Sequence, residues 1–409
     1  MSLPYLARHC LAVCLAAMMT AAPTPSAAQE EGEDRSGDLP EVNYLELGAR
    51  LVADGNYARA AAALRNVNVK AAGVDVARYH TLRGLVALRQ GDAQQAVGAL
   101  SKATIERRTR PGGARDPADV RAKWLAYIYL AQAHYQLQNY AQTLRALARS
   151  GPIGSHEPAL AALRADSHWQ LHQRVAAFAA LNRGAARFPN DPQFLRRKVF
   201  YLIDMGFYRA AATLGQAYLR VVDAGADDYL AIGSALRQSS QLDLALKVLE
   251  RARLEFPFAR DINVELAHVY LDAGKPHVAA DLFARTAVIH RDILPEAAEL
   301  ERRAGNFYRA LLLNTWIANQ KAKLKQRLAL FVGQERWAMA AAMGGALARN
   351  GLLADDEIRY AWAYSLFKSG EYDAAEHALV LLERGDLFDK AVELRRAMAT
   401  CRQARWQCL

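Results

Sequence analysis

The sequence predicts an all-α solenoid of about ten helical hairpins closed by a C-terminal helix. Three observations point there. A small residue followed seven positions later by Gly and twelve positions later by Ala recurs in Gly48…Gly55…Ala60, Gly84…Gly91…Ala96 and Ala267…Gly274…Ala279. Self-similarity at a fixed spacing marks a stacked repeat. The chain is rich in Ala and Leu and holds 25 Gly and 13 Pro in 409 residues, with few β-branched runs, which favours helix throughout. The hairpin starts near 158, 192, 226 and 260 are evenly spaced, each interval long enough for two helices and their turns.

The elements follow in order. Residues 1–28 read as an export signal: Arg8 and His9 precede the apolar stretch Cys10 to Ala22, and Pro23 to Ala28 ends in small residues suited to cleavage after Ala28. That stretch is shorter than the ~20 residues a membrane-spanning helix needs. Residues 29–40, beginning Gln29, Glu30, Glu31, form an acidic leader without apolar periodicity, expected to be disordered. Hairpins are then expected to start near 41, 77, 124, 158, 192, 226, 260, 291, 321 and 356, filling 41–389. A loop insertion at 111–117 separates the second from the third, with Asp116 as a helix cap and Pro117 at the first helical position. From 390 to 409 a helix with Arg and Lys on one face caps the last apolar seam. Two cysteines remain after the signal, Cys401 and Cys408, and in an exported protein such a pair suggests a disulfide.

The sixth hairpin carries the clearest pattern: Tyr229, Ile232, Gly233, Leu236, Ala245, Leu249, Ala252 and Pro257. Those residues resemble the tetratricopeptide repeat, W-x2-L-G-x2-Y…A-x3-F-x2-A-x4-P, with like-for-like apolar swaps. The resemblance implies a right-handed solenoid in which Gly48, Ala131, Gly233 and Ala363 let the first helix approach the second. Ala60, Ala96, Ala177, Ala245 and Ala375 do so from the other side. Three places depart from it, since Gly215, Asn314 and Gly344 stand where large apolar residues are expected. The starts at 260, 291 and 321 also fall closer together than those before them.

Chemistry is sparse. There is no P-loop, dinucleotide fingerprint, G-x-S-x-G or H-E-x-x-H. His290, Arg291 and Asp292 imitate a kinase triplet but read as an inter-hairpin turn. Asp227, Asp228, Asp355 and Asp356 suit helix starts. His168 and His172 stand one turn apart without a third ligand, and Lys321, Lys323, Lys325 and Arg327 read as a solvated face. No cofactor, metal or catalytic residue is assigned. The net charge of +10 would suit nucleic acid inside a cell; for an exported chain it suits anionic surfaces instead.

In the resembled family, first-helix residues away from the hairpin seam line a groove that holds an extended peptide or a partner helix. Carried over, these are Gln132, Tyr135, Gln136, Asp166, Trp169, Gln170, Arg196, Phe200, Asp204, Arg237, Gln238, His268 and Asp272. The reading is a non-catalytic periplasmic scaffold or adaptor that holds proteins of a cell-envelope complex. The alternative is a module that binds a glycan or peptidoglycan fragment on the groove aromatics.

Overall fold

The computed structural model describes residues 43–109 and 116–403, helical throughout apart from turns. The signal, the acidic leader, most of the 111–117 insertion and Cys408 lie outside the described residues. The chain divides into two compact units at 198/199.

The first unit contains α1 (Tyr44–Ala53) and α2 (Tyr57–Arg65), α3 (Val76–Arg89) and α4 (Ala93–Thr109), α5 (Pro117–Gln136) and α6 (Tyr140–Ala148). After a four-residue α7 (Ile153–His156) come α8 (Pro158–Gln170) and α9 (Arg174–Arg187). The division falls within α10 (Gln193–Asp204), which is followed by α11 (Tyr208–Val221). The second unit continues with α12 (Ala226–Gln238), α13 (Leu242–Glu255), α14 (Arg260–Asp272), α15 (Pro276–Ile289), α16 (Leu294–Arg303) and α17 (Phe307–Trp316). It ends with α18 (Gln320–Gly333), α19 (Trp337–Ala341), α20 (Gly344–Arg349), α21 (Asp356–Lys368), α22 (Tyr372–Val380) and α23 (Gly385–Gln403).

The hairpin turns share one geometry. Gly55, Gly91, Gln138, His172, Gly206, Ser240, Gly274, Gly305, Glu335 and Gly370 each have φ between +57° and +85° and sit midway between the two helices of a hairpin. The next residue's N–H donates to the carbonyl five positions back, as in Asn56 to Leu51 at 2.8 Å and Lys275 to Tyr270 at 2.8 Å. This is a Schellman closure, which satisfies the orphan carbonyls at the end of the first helix. The glycine in the spacing is therefore there for its left-handed backbone, since a Cβ on Gly55, Gly91 or Gly274 would meet nothing within 4 Å. Five residues after each turn residue lies a fully buried small side chain: Ala60, Ala96, Thr143, Ala177, Ala211, Ala245, Ala279, Ala310, Ala340 and Ala375, all 0% exposed.

Glycines inside helices do the close packing. A Cβ on Gly48, Gly84 or Gly233 would come within 2.8, 2.5 and 2.5 Å of Leu64, Leu100 and Leu249, each on the second helix of the same hairpin. Gly215 and Gly344 fill a different role from the apolar slot expected of them. They lie on second helices and receive a large side chain from the next hairpin, Ile232 and Trp362, at 2.7 and 2.3 Å from the would-be Cβ. Gly184 receives Phe194 in the same manner.

Several boundaries differ from the sequence expectation. The third hairpin starts at Pro117 and not near 124, because Asp116 Oδ1 accepts the Ala118 N–H at 2.9 Å and caps α5 there. The final helix starts at Gly385 and not 390. The second helix of the ninth hairpin is broken into α19 and α20, and the Trp362 indole N–H donates to the Ala341 carbonyl at the break (2.8 Å).

Asn314, expected to be large and apolar, is a buried polar hub. Its Nδ2 donates to the Lys323 carbonyl (3.0 Å) and Gln326 Oε1 (3.2 Å), and its Oδ1 accepts from Arg327 Nε (3.0 Å). Gln326 in turn donates to the Pro295 carbonyl at 2.8 Å, so the network ties α16, α17 and α18 together.

Candidate functional site

Several first helices touch the first helix of the next hairpin, α1 on α3 and α3 on α5 in the first unit, α12 on α14, α16 on α18 and α18 on α21 in the second. Each unit thus presents a face built from first helices. The groove residues expected from sequence lie on the first helices α5, α8, α10, α12 and α14 and divide into three groups.

The first group is sealed by packing. In the first unit Gln132 is buried, and Tyr135 is half-buried with its ring edge-on to Tyr140 at 5.5 Å. Trp169 is 8% exposed; the Arg174 guanidinium lies over its ring at 3.7 Å and Phe178 meets it edge-on at 6.3 Å. Arg174 also donates Nη1 to the Trp169 carbonyl at 3.2 Å, which holds the cation on the ring across the hairpin turn. A sugar face would have to displace that guanidinium. In the second unit His268 packs edge-on against Phe283 at 5.7 Å. Arg196 and Phe200 are half-buried.

The second group is spent on ion pairs between neighbouring helices. Arg237 on α12 donates Nε to Glu265 at 2.8 Å and Nη1 to Asp272 at 3.1 Å, both on α14. In the first unit Asp166 on α8 accepts from Arg197 Nε at 3.1 Å. These side chains fix the spacing of first helices, a use that residue type alone does not reveal.

The third group is open. Gln136 and Gln170 in the first unit and Gln238 in the second are exposed and each ends a first helix, as do Asp204 and the ion-paired Asp272. Positions 136, 170, 204, 238 and 272 are evenly spaced, so each unit repeats an exposed polar residue at the same level of its hairpins. Gln238 donates to Ser234 Oγ on its own helix at 3.2 Å.

Other motifs take structural places. Lys323 donates to the Thr315 carbonyl at 2.8 Å, Arg327 serves the Asn314 hub, Lys325 lies 3.5 Å from Asp355, and Lys321 is exposed. His172 occupies a left-handed turn, and His168 Nδ1 bonds Gln173 Oε1 at 2.7 Å. His290 Nε2 meets the Phe258 carbonyl at 3.0 Å, and Asp292 pairs with Arg260 at 2.9 Å.

Asp355 caps α21 by accepting the Glu357 N–H at 2.9 Å, as the sequence suggests. Asp356 and Asp228 do more than favour a helix start. Asp356 accepts the Glu383 and Arg384 N–H groups, both at 2.8 Å, and Asp228 accepts the Tyr218 hydroxyl at 2.9 Å. Those two backbone N–H groups, with Arg359 and Arg384 nearby, hold the Asp356 carboxyl below the usual range.

Between α13 and α14, burial together with a 2.5 Å hydrogen bond to Glu250 pushes the Tyr270 hydroxyl up to about 12. Among the described residues no group of three or more His, Cys, Asp or Glu could hold a metal ion. None of the described helices is long and apolar enough to cross a membrane.

No family model matches the chain, and no curated protein matches it in sequence. Among solved structures, the chain is similar to a tetratricopeptide repeat protein from Parabacteroides merdae, with 13% identity over 59% of this chain and 92% of that one and a TM-score of 0.43. It is similar to PilF of Pseudomonas aeruginosa at 15% identity, over 54% of this chain and 93% of that one, TM-score 0.39. It is also similar to MamA of Desulfovibrio magneticus at 14%, over 44% and 92%, TM-score 0.37. The tetratricopeptide-like character of the array rests on its own hairpins, with their shared left-handed turn and their buried alanine five residues on.

Proposed function

We propose that the protein is a non-catalytic scaffold that holds partner proteins on its first-helix faces, working in the periplasm as part of a cell-envelope complex. The observation that carries this reading is the repeated open polar position at the end of first helices, Gln136 and Gln170 in one unit and Gln238 in the other. Amide side chains offer both donors and acceptors to a peptide backbone, and their regular recurrence suits an extended partner. The export signal at 1–28 and the Cys401–Cys408 pair support an extracytoplasmic site of action. Cys401 itself is buried on α23.

Photo-crosslinkers placed at Gln136, Gln170 and Gln238 in cells test the scaffold. They are expected to trap one or a few envelope proteins, while a crosslinker at Val175, 87% exposed on the second helix α9, traps none of these. Absence of any adduct at all three positions refutes the first-helix face as the binding surface. Mass analysis of the mature chain tests the compartment: it is expected to begin at Gln29 and to be lighter by the two hydrogens of a disulfide.

A further inference from the structure

The first unit holds a cleft of about 470 Å³ lined by Gly154, Ala161, Arg164, Ala180, Arg183, Arg187 and Phe188, among others. The third hairpin borders it through α7. There the second helix, α6, has 9 residues where α9 has 14, a shortfall of about 7.5 Å at 1.5 Å per residue. The chain turns instead into α7, whose Gly154 packs on Ser150 and presents no side chain to the cleft.

Three guanidinium groups share this space, and among the described residues that line it none is acidic. Arg164, half-buried midway along α8, donates Nη2 to the Leu147 carbonyl at 3.3 Å. Burial and then the Arg183 charge hold its pKa below that of an ordinary arginine. The C-terminal ends of α6 and α9 attract Arg164, through the Leu147 carbonyl, and Arg187 in the last turn of α9; Arg183 is the guanidinium that neither end explains.

A comparison within the chain sharpens the point. Three repeats later, at the place of Arg183, stands Arg285, and it pairs with Asp281 at 2.8 Å one turn earlier. The residue at the place of Asp281 in α9 is Ala179, so the neutralising carboxylate is missing there.

We propose that this cleft binds a phosphoryl group carried on a small apolar or aromatic body, the guanidinium forks taking the phosphoryl oxygens and Ala161, Ala180 and Phe188 covering the body. A dianion answers an excess of positive charge better than a single carboxylate, and guanidinium binds phosphate oxygens in pairs. The phosphoryl group comes either from a soluble metabolite or from a lipid headgroup.

Calorimetric titration of the full chain with phenyl phosphate and with benzoate, together with flotation on phosphatidylcholine vesicles containing phosphatidic acid, tests the site. Phenyl phosphate is expected to bind saturably with one site per chain. Arg183→Gln and Arg187→Gln, both at exposed positions, are each expected to weaken it about tenfold or more. Arg285→Gln serves as the charge control and leaves binding unchanged. Flotation that is lost in the same two variants supports the site and assigns it to a lipid headgroup; phenyl phosphate binding without flotation supports it and assigns it to a soluble ligand. Three results overturn the proposal: no saturable binding of phenyl phosphate, equal weakening by Arg285→Gln, or benzoate binding as tightly as phenyl phosphate.

Discussion

The second hairpin carries three evenly spaced glycines, Gly84, Gly91 and Gly98, and alanine at each should act differently. At Gly98, inside α4, a Cβ meets nothing within 4 Å and the backbone is helical, so Gly98→Ala should stabilise by about 0.5–1 kcal/mol. Gly84 gains the same helix propensity, but its Cβ would sit 2.5 Å from Leu100 Cγ and 2.9 Å from Cδ2. Because the propensity gain is common to both, the difference between the two variants isolates the clash, about 1–3 kcal/mol. Gly91 has open space but a φ of +85°, so Gly91→Ala should cost about 1–2 kcal/mol from backbone strain alone. Gly91→Asn should cost less, since Asn tolerates the left-handed region.

The decisive measurement is the Gly84→Ala/Leu100→Ala cycle. Leu100 is fully buried, and its truncation alone should cost about 2–5 kcal/mol. In that background the added methyl has room, and Gly84→Ala should turn stabilising, a coupling of about 1–3 kcal/mol. Urea unfolding followed by far-UV circular dichroism reads the midpoints. Hydrogen exchange in α3 and α4 localises the effect, because a repeat array need not unfold in one step. If Gly84→Ala and Gly98→Ala shift stability by the same amount, or if the cycle shows no coupling, Leu100 can slide aside and glycine is not what sets the helix crossing.

Three further outcomes follow from the structure. Asn314→Leu should destabilise by about 1–3 kcal/mol despite matching the apolar pattern, because Arg327, Gln326 and the Lys323 carbonyl lose their partner; thermal melts read it. Tyr270 holds its proton up to about 12 in the fold against about 10 when unfolded, so its contribution is complete below pH ~10 and is lost as pH rises towards ~12. Alkaline unfolding of Tyr270→Phe should lack that part of the decline, and superimposable wild-type and variant curves would refute it. Asp356, with its pKa lowered in the fold, contributes above the unfolded value near ~4 and loses that contribution as pH falls below it. Asp356→Asn should speed hydrogen exchange at Glu383 and Arg384 at neutral pH and remove the acid-dependent rise seen in the parent.

Much of the array was legible because backbone demands repeat. A left-handed turn asks for glycine and a tight crossing asks for alanine, and both recur at one spacing through Gly55 and Ala60, Gly91 and Ala96, Gly274 and Ala279. The turn was hidden at Gln138, His172, Ser240 and Glu335, where the same left-handed φ is held by residues that carry no glycine signal. Hairpins eight and nine blurred because a polar hub at Asn314 and a tryptophan wedge at Trp362 replace ordinary apolar seams. The face was harder still. Spacing assigns Trp169 and Arg237 to first helices, but whether they are open depends on Arg174 across a turn and on Glu265 and Asp272 in the next hairpin. The arginine cleft was hidden because its guanidinium groups come from two helices, α8 and α9, with α7 as a further wall, and no single spacing along the chain links them.

The shared turn has a consequence for how such a chain can grow. Gly206, Ser240 and Gly274 are equivalent backbone points, each one whole repeat beyond the last. A segment duplicated or deleted between two of them rejoins on matching dihedral angles, with its Schellman bond and buried alanine already in register. Recombination at these points therefore needs no new loop, and the array can change length by whole hairpins while the flanking helices keep their caps.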